Sequence, residues 1–197
     1  MSETFDALLT RIRACRLCEA QLPFEPRPIL RALPSARLLL VGQAPGTRVH
    51  ESGIPWNDAS GIRLRHWLGI EREAFYDERH IAIVPMGFCY PGKGESGDLP
   101  PRPECSATWH PQLLPHLPNV RLKLLIGHYA QAYFLGAKRG KTLTETVRNF
   151  RDFLPDAFPL PHPSPRNQLW LRNNPWFEEE LVPLLREQVA IALDLPR

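Results

Sequence analysis

The sequence predicts a three-layer α/β/α sandwich built on a central, mostly parallel four-stranded sheet. Two observations carry this. Short, largely apolar runs, Leu38-Leu-Leu-Val41, Ile81-Ala-Ile-Val84 and Leu122-Lys-Leu-Leu-Ile126, with Phe158-Pro-Leu160 as a shorter fourth, have the length and continuity of strands covered on both faces. Between them lie stretches whose apolar residues recur at helical spacing, and strands alternating with helices imply a parallel sheet with helices on both sides.

The elements follow in order. Phe5, Leu8, Leu9 and Ile12 form one helical stripe, with Ser2 or Thr4 available as N-cap. A proline-rich connector, residues 22–34, leads to the first strand, Arg37 to Val41, which Gly42-Gln-Ala-Pro-Gly46 closes abruptly. The spacing then predicts a loop to Gly53 and a helix that Asp58 or Ser60 caps, carrying Ile62, Leu64, Trp67 and Leu68 and ending near Gly69. Strand two is residues 80–85. A Gly- and Pro-rich loop follows to Glu104, then a helix entered at Cys105 and interrupted by Pro111 and Pro115. Strand three, residues 122–126, is closed by Gly127-His128; helices over 129–137 and 142–150 precede the last strand. The terminal helix takes Asn174 as N-cap and Pro175 at its first position, buries Phe177, Leu181, Leu184, Leu185 and Val189, and kinks at Pro183.

A chain of 197 residues, 43% hydrophobic, supports one core, so a single domain over 1–197 is expected. Lys plus Arg number 24 against 21 Asp plus Glu; the resulting +3 permits a polyanionic partner without demanding one. No apolar run reaches the roughly 18–20 residues a bilayer requires, and Glu3 and Asp6 stand where a signal peptide would be basic and then apolar. The expectation is a cytoplasmic monomer without a membrane partner. The 22 prolines fall mostly between elements and stiffen the loops.

The four cysteines form one pattern: Cys15 and Cys18 two residues apart, then Cys89 and Cys105 flanking the Gly/Pro loop. In a reducing compartment such a set can give four thiolates to one metal centre. A 4Fe-4S cluster is the leading reading. Tetrahedral zinc uses the same ligands, though structural zinc more often pairs two close-spaced knuckles; unrelated buried thiols are the remaining alternative.

Three separated stretches, Gly42-Gln-Ala-Pro-Gly46, Pro55-Trp-Asn-Asp-Ala-Ser-Gly61 and His162-Pro-Ser-Pro-Arg-Asn167, occur in that order with this cysteine spacing. Together they resemble the uracil-DNA glycosylase superfamily, most of all its iron–sulfur branch. The stretches are similar, in turn, to that branch's Gly-Glu-Ala-Pro-Gly loop, its Pro-Phe-x-Gly-x-Ala-Gly turn and its His-Pro-Ser loop. The resemblance implies a DNA repair enzyme that flips a base out of the helix and hydrolyses its N-glycosidic bond. It makes His162 the donor to the leaving base, helped by main-chain N–H groups from Gln43 and Ala44 to Gly46, because charge develops on a pyrimidine oxygen. It makes Trp56 a stacking platform for the flipped base, where the family usually has Phe, and sends Arg166 and Asn167 to the minor groove. Ser164 would bind a flanking phosphate.

Two positions depart from the family. The carboxylate of the first loop is Gln43 here, which makes Asp58, in the facing turn, the best substitute acid, with His50 and Glu51 as further candidates. The Asn that reads the pyrimidine edge is Pro85. Its place would fall to the backbone of residues 85–88, with Asn57 or His128 assisting, and the substrate would be uracil or a related deaminated base. Two readings stand beside the enzyme: a module on the same scaffold that binds damaged or abasic DNA without turnover or covalently through His50, and, more remotely, an iron–sulfur or zinc protein handling a small nucleotide.

Overall fold

Four parallel strands, β1 (Leu38–Val41), β2 (Ile81–Ile83), β5 (Leu122–Ile126) and β6 (Ala157–Leu160), make the central sheet in the order β2-β1-β5-β6. The structure is a computed structural model and describes residues 3–195. A two-stranded antiparallel ribbon, β3 (Lys93–Gly94) and β4 (Gly97–Asp98), stands apart from the sheet.

The register explains the burial. Leu38 lies opposite both Ile81 and Leu122, and Leu124 opposite Phe158, so the alternating side chains of all four strands fall on common faces. Leu38, Leu40, Ile83, Leu124 and Phe158 enter one core, which α3 (Ala59–Leu68), α7 (Leu143–Arg148) and α9 (Val182–Leu193) cover. Leu39, Val41, Ala82, Val84 and Leu125 enter the other, under α1 (Phe5–Arg13), α5 (Pro103–Leu113) and α6 (His128–Leu135). The chain steps from β1 to β2 in one direction and from β2 to β5 in the other. Right-handed crossovers then require helices on opposite faces, as α3 and α5 are.

The cap rules hold at α1 and α3. The Thr4 hydroxyl caps α1, while Ser2 lies outside the described residues; Asp58 Oδ1 caps α3 by accepting from Gly61 N–H at 2.9 Å, and left-handed Gly69 ends it.

Several expectations fail, each for a physical reason. Three short helices were not foreseen: α2 (Thr47–Ser52), α4 (Arg72–Phe75) and α8 (Gln168–Asn173). Each buries a single apolar side chain, Val49, Phe75 and Leu171 respectively, too few to show a period. Pro111 lies inside α5 without ending it. Ile62 points outward, 64% exposed. Asn174 does not cap through its side chain, which instead accepts from Trp176 Nε1 and donates to the Trp170 carbonyl. Pro183 is accommodated by a run of π-helix, Phe177–Leu181, whose wider turn precedes α9 and spares the chain a clash between the proline ring and the carbonyl four residues back.

Phe158 is fully buried and stacks on Phe150 with ring centroids 4.6 Å apart. Phe158→Ala should cost about 3–5 kcal/mol, read as a lower urea midpoint with an unchanged slope.

Candidate active site

All strands being parallel, the loops after Val41, Ile83, Ile126 and Leu160 gather at one end of the sheet, where α/β folds form their crevice. A cavity of about 550 Å³ lies there. It is lined by Gln43, Ala44, Trp56, Asp58, Pro85, His162, Ser164, Arg166 and Asn167, which brings together residues from all three sequence stretches.

Two glycines set the position of Trp56. A Cβ on Gly42 would stand 2.7 Å from Trp56 Cζ2, so the indole can lie against the end of β1 only because position 42 is bare. A Cβ on Gly61 would meet the Trp56 carbonyl oxygen at 1.8 Å. Trp56 itself has φ 57°, a left-handed backbone that costs a bulky residue of order 1–3 kcal/mol. Tyr76 holds the turn by donating its hydroxyl proton to the Pro55 carbonyl at 2.8 Å. The indole then faces His162 at 5.6 Å between centroids with 34° between the planes.

His162 follows β6 in an extended loop packed on Gly127, whose φ is +85°. The Ser164 N–H donates to His162 Nδ1 at 3.2 Å. A backbone N–H can only donate, so Nδ1 is the acceptor and the neutral ring carries its proton on Nε2. Burial pushes the imidazole pKa below its ordinary 6.5, partly opposed by the charge of Asp58, so the ring is neutral at pH 7. Asn167 Nδ2 donates to the His162 carbonyl at 2.7 Å, and Arg63 reaches from α3 to the Ser164 carbonyl and to Gln168 Oε1. The loop is thereby fixed from both ends.

Other expected residues fall elsewhere. Asn57 is outside the cavity lining, its side-chain oxygen accepting weakly from Arg72 at 3.4 Å. His128 is exposed beside Arg139 and Tyr129. His50 packs between Phe24 and Tyr90, with its carbonyl accepting from Arg27, and neither it nor Glu51 lines the cavity. The backbone after Pro85 has no free donors to read a base: Met86 N–H goes to Gly42, Gly87 N–H to Gln43, Phe88 N–H to Cys105 Sγ, and the Pro85 carbonyl accepts from buried His110. Arg166 lies across the cavity mouth toward the ribbon, its guanidinium 3.5 Å from the Ser96 carbonyl.

Asp98, Ser60 and Ser96 also line the cavity and were not anticipated. The only signal for Asp98 was an acid next to a glycine in the loop between the third and fourth cysteines, and its approach to the cavity depends on how the ribbon folds back.

The four cysteines line one small pocket together with Phe88, Arg102 and Trp109. Trp109 Nε1–H points at Cys15 Sγ and Phe88 N–H at Cys105 Sγ, each at 3.3 Å. Burial pushes the Cys89 thiol up to about 11 and the Cys105 thiol up to about 12, and the other cysteines add to both shifts. Among the described residues no three His, Cys, Asp or Glu side chains are arranged to hold a single metal ion.

Comparison with protein-family models matches residues 31–186 to the uracil DNA glycosylase superfamily. The chain belongs to that superfamily. The matched span runs from ahead of β1 into α9 and contains the whole cavity lining except Ile29. The three stretches at 42–46, 55–61 and 162–167 all lie within the matched span and all contribute to this cavity. Cys15 and Cys18 precede the matched span, while Cys89 and Cys105 lie within it. No helix among the described residues is long and apolar enough to cross a membrane.

Gly42→Ala should displace the indole and cost about 1–3 kcal/mol by overpacking. The check is urea unfolding together with Trp fluorescence of the native state, which shifts only if Trp56 moves.

Proposed function

We propose that this protein is a DNA glycosylase that hydrolyses the N-glycosidic bond of uracil or a related deaminated base. The single observation that carries the reading is the fixed tautomer of His162. With Nδ1 committed to the Ser164 N–H, Nε2–H is the free donor of a ring that lines the cavity and faces Trp56. That pairing suits a base held against an indole while a hydrogen bond to its carbonyl strengthens as the base leaves with the bonding electron pair. The fixed imidazole pays no reorganisation cost during the reaction. A neutral donor also avoids the cost of burying a cation before the leaving base becomes an anion.

Asp58 serves twice. One carboxylate oxygen caps α3, and the group lies close enough to His162 for its charge to act on the ring. In the reaction that charge stabilises the oxocarbenium-like sugar. Ser164, which lines the cavity, would bind a flanking phosphate, and Arg166 and Asn167 would face the minor groove of the duplex.

Cys15, Cys18, Cys89 and Cys105 would hold a 4Fe-4S cluster. The donor set supports this: the thiols surround one pocket, and two N–H groups already aim at sulfur, the arrangement that steadies thiolate ligands. Zinc would use the same four sulfurs at about 2.3 Å from one ion, but structural zinc more often pairs two close-spaced knuckles, and Cys89 and Cys105 are widely split. When bound, the cluster would cross-link α1 to the loop after β2 and to α5, and could supply one-electron chemistry. Cys105→Ser should abolish the visible absorption and iron content of the purified protein; zinc in place of iron would overturn the assignment.

The reading is tested with oligonucleotides carrying uracil, hypoxanthine or xanthine. His162→Ala should lower base release by about 10²–10³-fold, the usual loss for one oxyanion donor. Asp58→Asn should lower release while leaving the urea midpoint nearly unchanged, since Asn caps a helix about as well as Asp. Absence of release from every substrate by wild-type protein would overturn the enzyme in favour of a lesion-binding module.

A further inference from the structure

The first loop lacks a carboxylate in its own sequence, yet one reaches it in space. Asp98 sits at the end of the β3–β4 ribbon and lines the cavity. Its Oδ2 rests against the bare backbone of Gly46, where a Cβ would stand only 3.3 Å away. Among the described residues, no hydrogen bond or salt bridge engages this carboxylate, in contrast to Asp58, one of whose oxygens is spent on α3.

The ribbon that carries Asp98 is strapped from two sides. Gln43 Nε2–H donates to the carbonyl of the adjoining Leu99 at 3.1 Å, and Arg166 reaches Ser96 from the His162 loop. Leu99 N–H closes the ribbon base onto the Gly92 carbonyl at 2.8 Å. A carboxylate at position 43 could not donate to Leu99. The amide at 43 and the acid at 98 are therefore one arrangement, in which the first loop gives up its acid and holds one from the ribbon.

We propose that Asp98 is the catalytic residue that accepts the proton of the attacking water, with Gln43 as its positioning residue. The inference rests on the glycosylase reading. The water oxygen bonds to the anomeric carbon as the carbon–nitrogen bond breaks; the electron pair leaves with the base, and the water proton passes to Asp98, which returns it to the base anion or to solvent. Burial and the neighbouring Asp58 raise the Asp98 pKa above its ordinary 3.8, opposed by Arg166 and Lys93, which moves the group toward the range useful to a general base.

The test measures single-turnover base release on the best substrate as a function of pH. Asp98→Asn should lower the maximal rate about 10²–10⁴-fold, leave substrate affinity within about twofold, and lose the acid limb in which wild-type activity falls as Asp98 is protonated. Asp58→Asn should keep that limb. Formate added to Asp98→Ala should restore at least tenfold of the rate, which a merely structural role would not allow. Release by Asp98→Asn within about threefold of wild type, or no formate rescue of Asp98→Ala, overturns the proposal and leaves the glycosylase intact. No release by wild type overturns the glycosylase reading itself and this inference with it.

Discussion

The contact between the Trp56 indole and the unsubstituted backbone of Gly42 is the constraint from which the site is built. It fixes an aromatic plane at the carboxyl end of the central strand, in a turn whose left-handed residue and tight return to Gly61 would be unstable without two bare positions. Backbone strain of this kind persists only where packing over-determines it. Here β1, with all four residues buried between two cores, supplies the rigid edge, and Tyr76 secures the turn. Everything else in the cavity is placed relative to that plane: His162 across from it, Asp58 at the start of the helix that leaves it, and the ribbon at its rim.

The second determinant is how few polar groups in the cavity are left uncommitted. The loop after β2 spends its N–H groups on Gly42, Gln43 and a cysteine sulfur, so the segment that would otherwise read a base serves to tie the sheet edge to the cysteine pocket. His162 spends one nitrogen on its own loop, and Asp58 one oxygen on its helix. Of these groups, one imidazole N–H and one Asp58 oxygen stay free, beside the Asp98 carboxylate. In a partly desolvated cavity each such group has a disproportionate effect, because water competes less for it.

The cysteine pocket and the cavity share the chain between β2 and α5. Cys89 and Cys105 bracket the ribbon, and Phe88 donates to the sulfur of Cys105 while its carbonyl accepts from Ile29, a cavity-lining residue. A group bound by the four thiols would therefore hold both ends of the segment that carries Asp98. This gives such a clip a reason to exist in a chain whose ribbon is only two residue pairs long.

The sequence by itself determined the layers and most of the cavity wall. Short apolar runs closed by Gly or Pro and alternating with helical stretches suit strands buried on both faces, and the glycine- and proline-rich stretches at residues 42–46, 55–61 and 162–167 belong in the connections, because glycine and proline exclude them from strand interiors. Within those stretches Trp56, Asp58 and His162 were legible through the resemblance to the glycosylase superfamily. Asn57 and His128 were misplaced, since alternation within a turn does not tell which side chain faces inward; α2, α4 and α8 were invisible, each burying one apolar residue. Only the tertiary structure decided which nitrogen of His162 carries the proton, that the N–H groups after Pro85 are engaged, and that Asp98 meets Gly46. The last two depend on contacts between residues tens of positions apart, as Gln43 with Leu99 does, and nothing local in the chain encodes the direction in which a glycine-rich loop folds back.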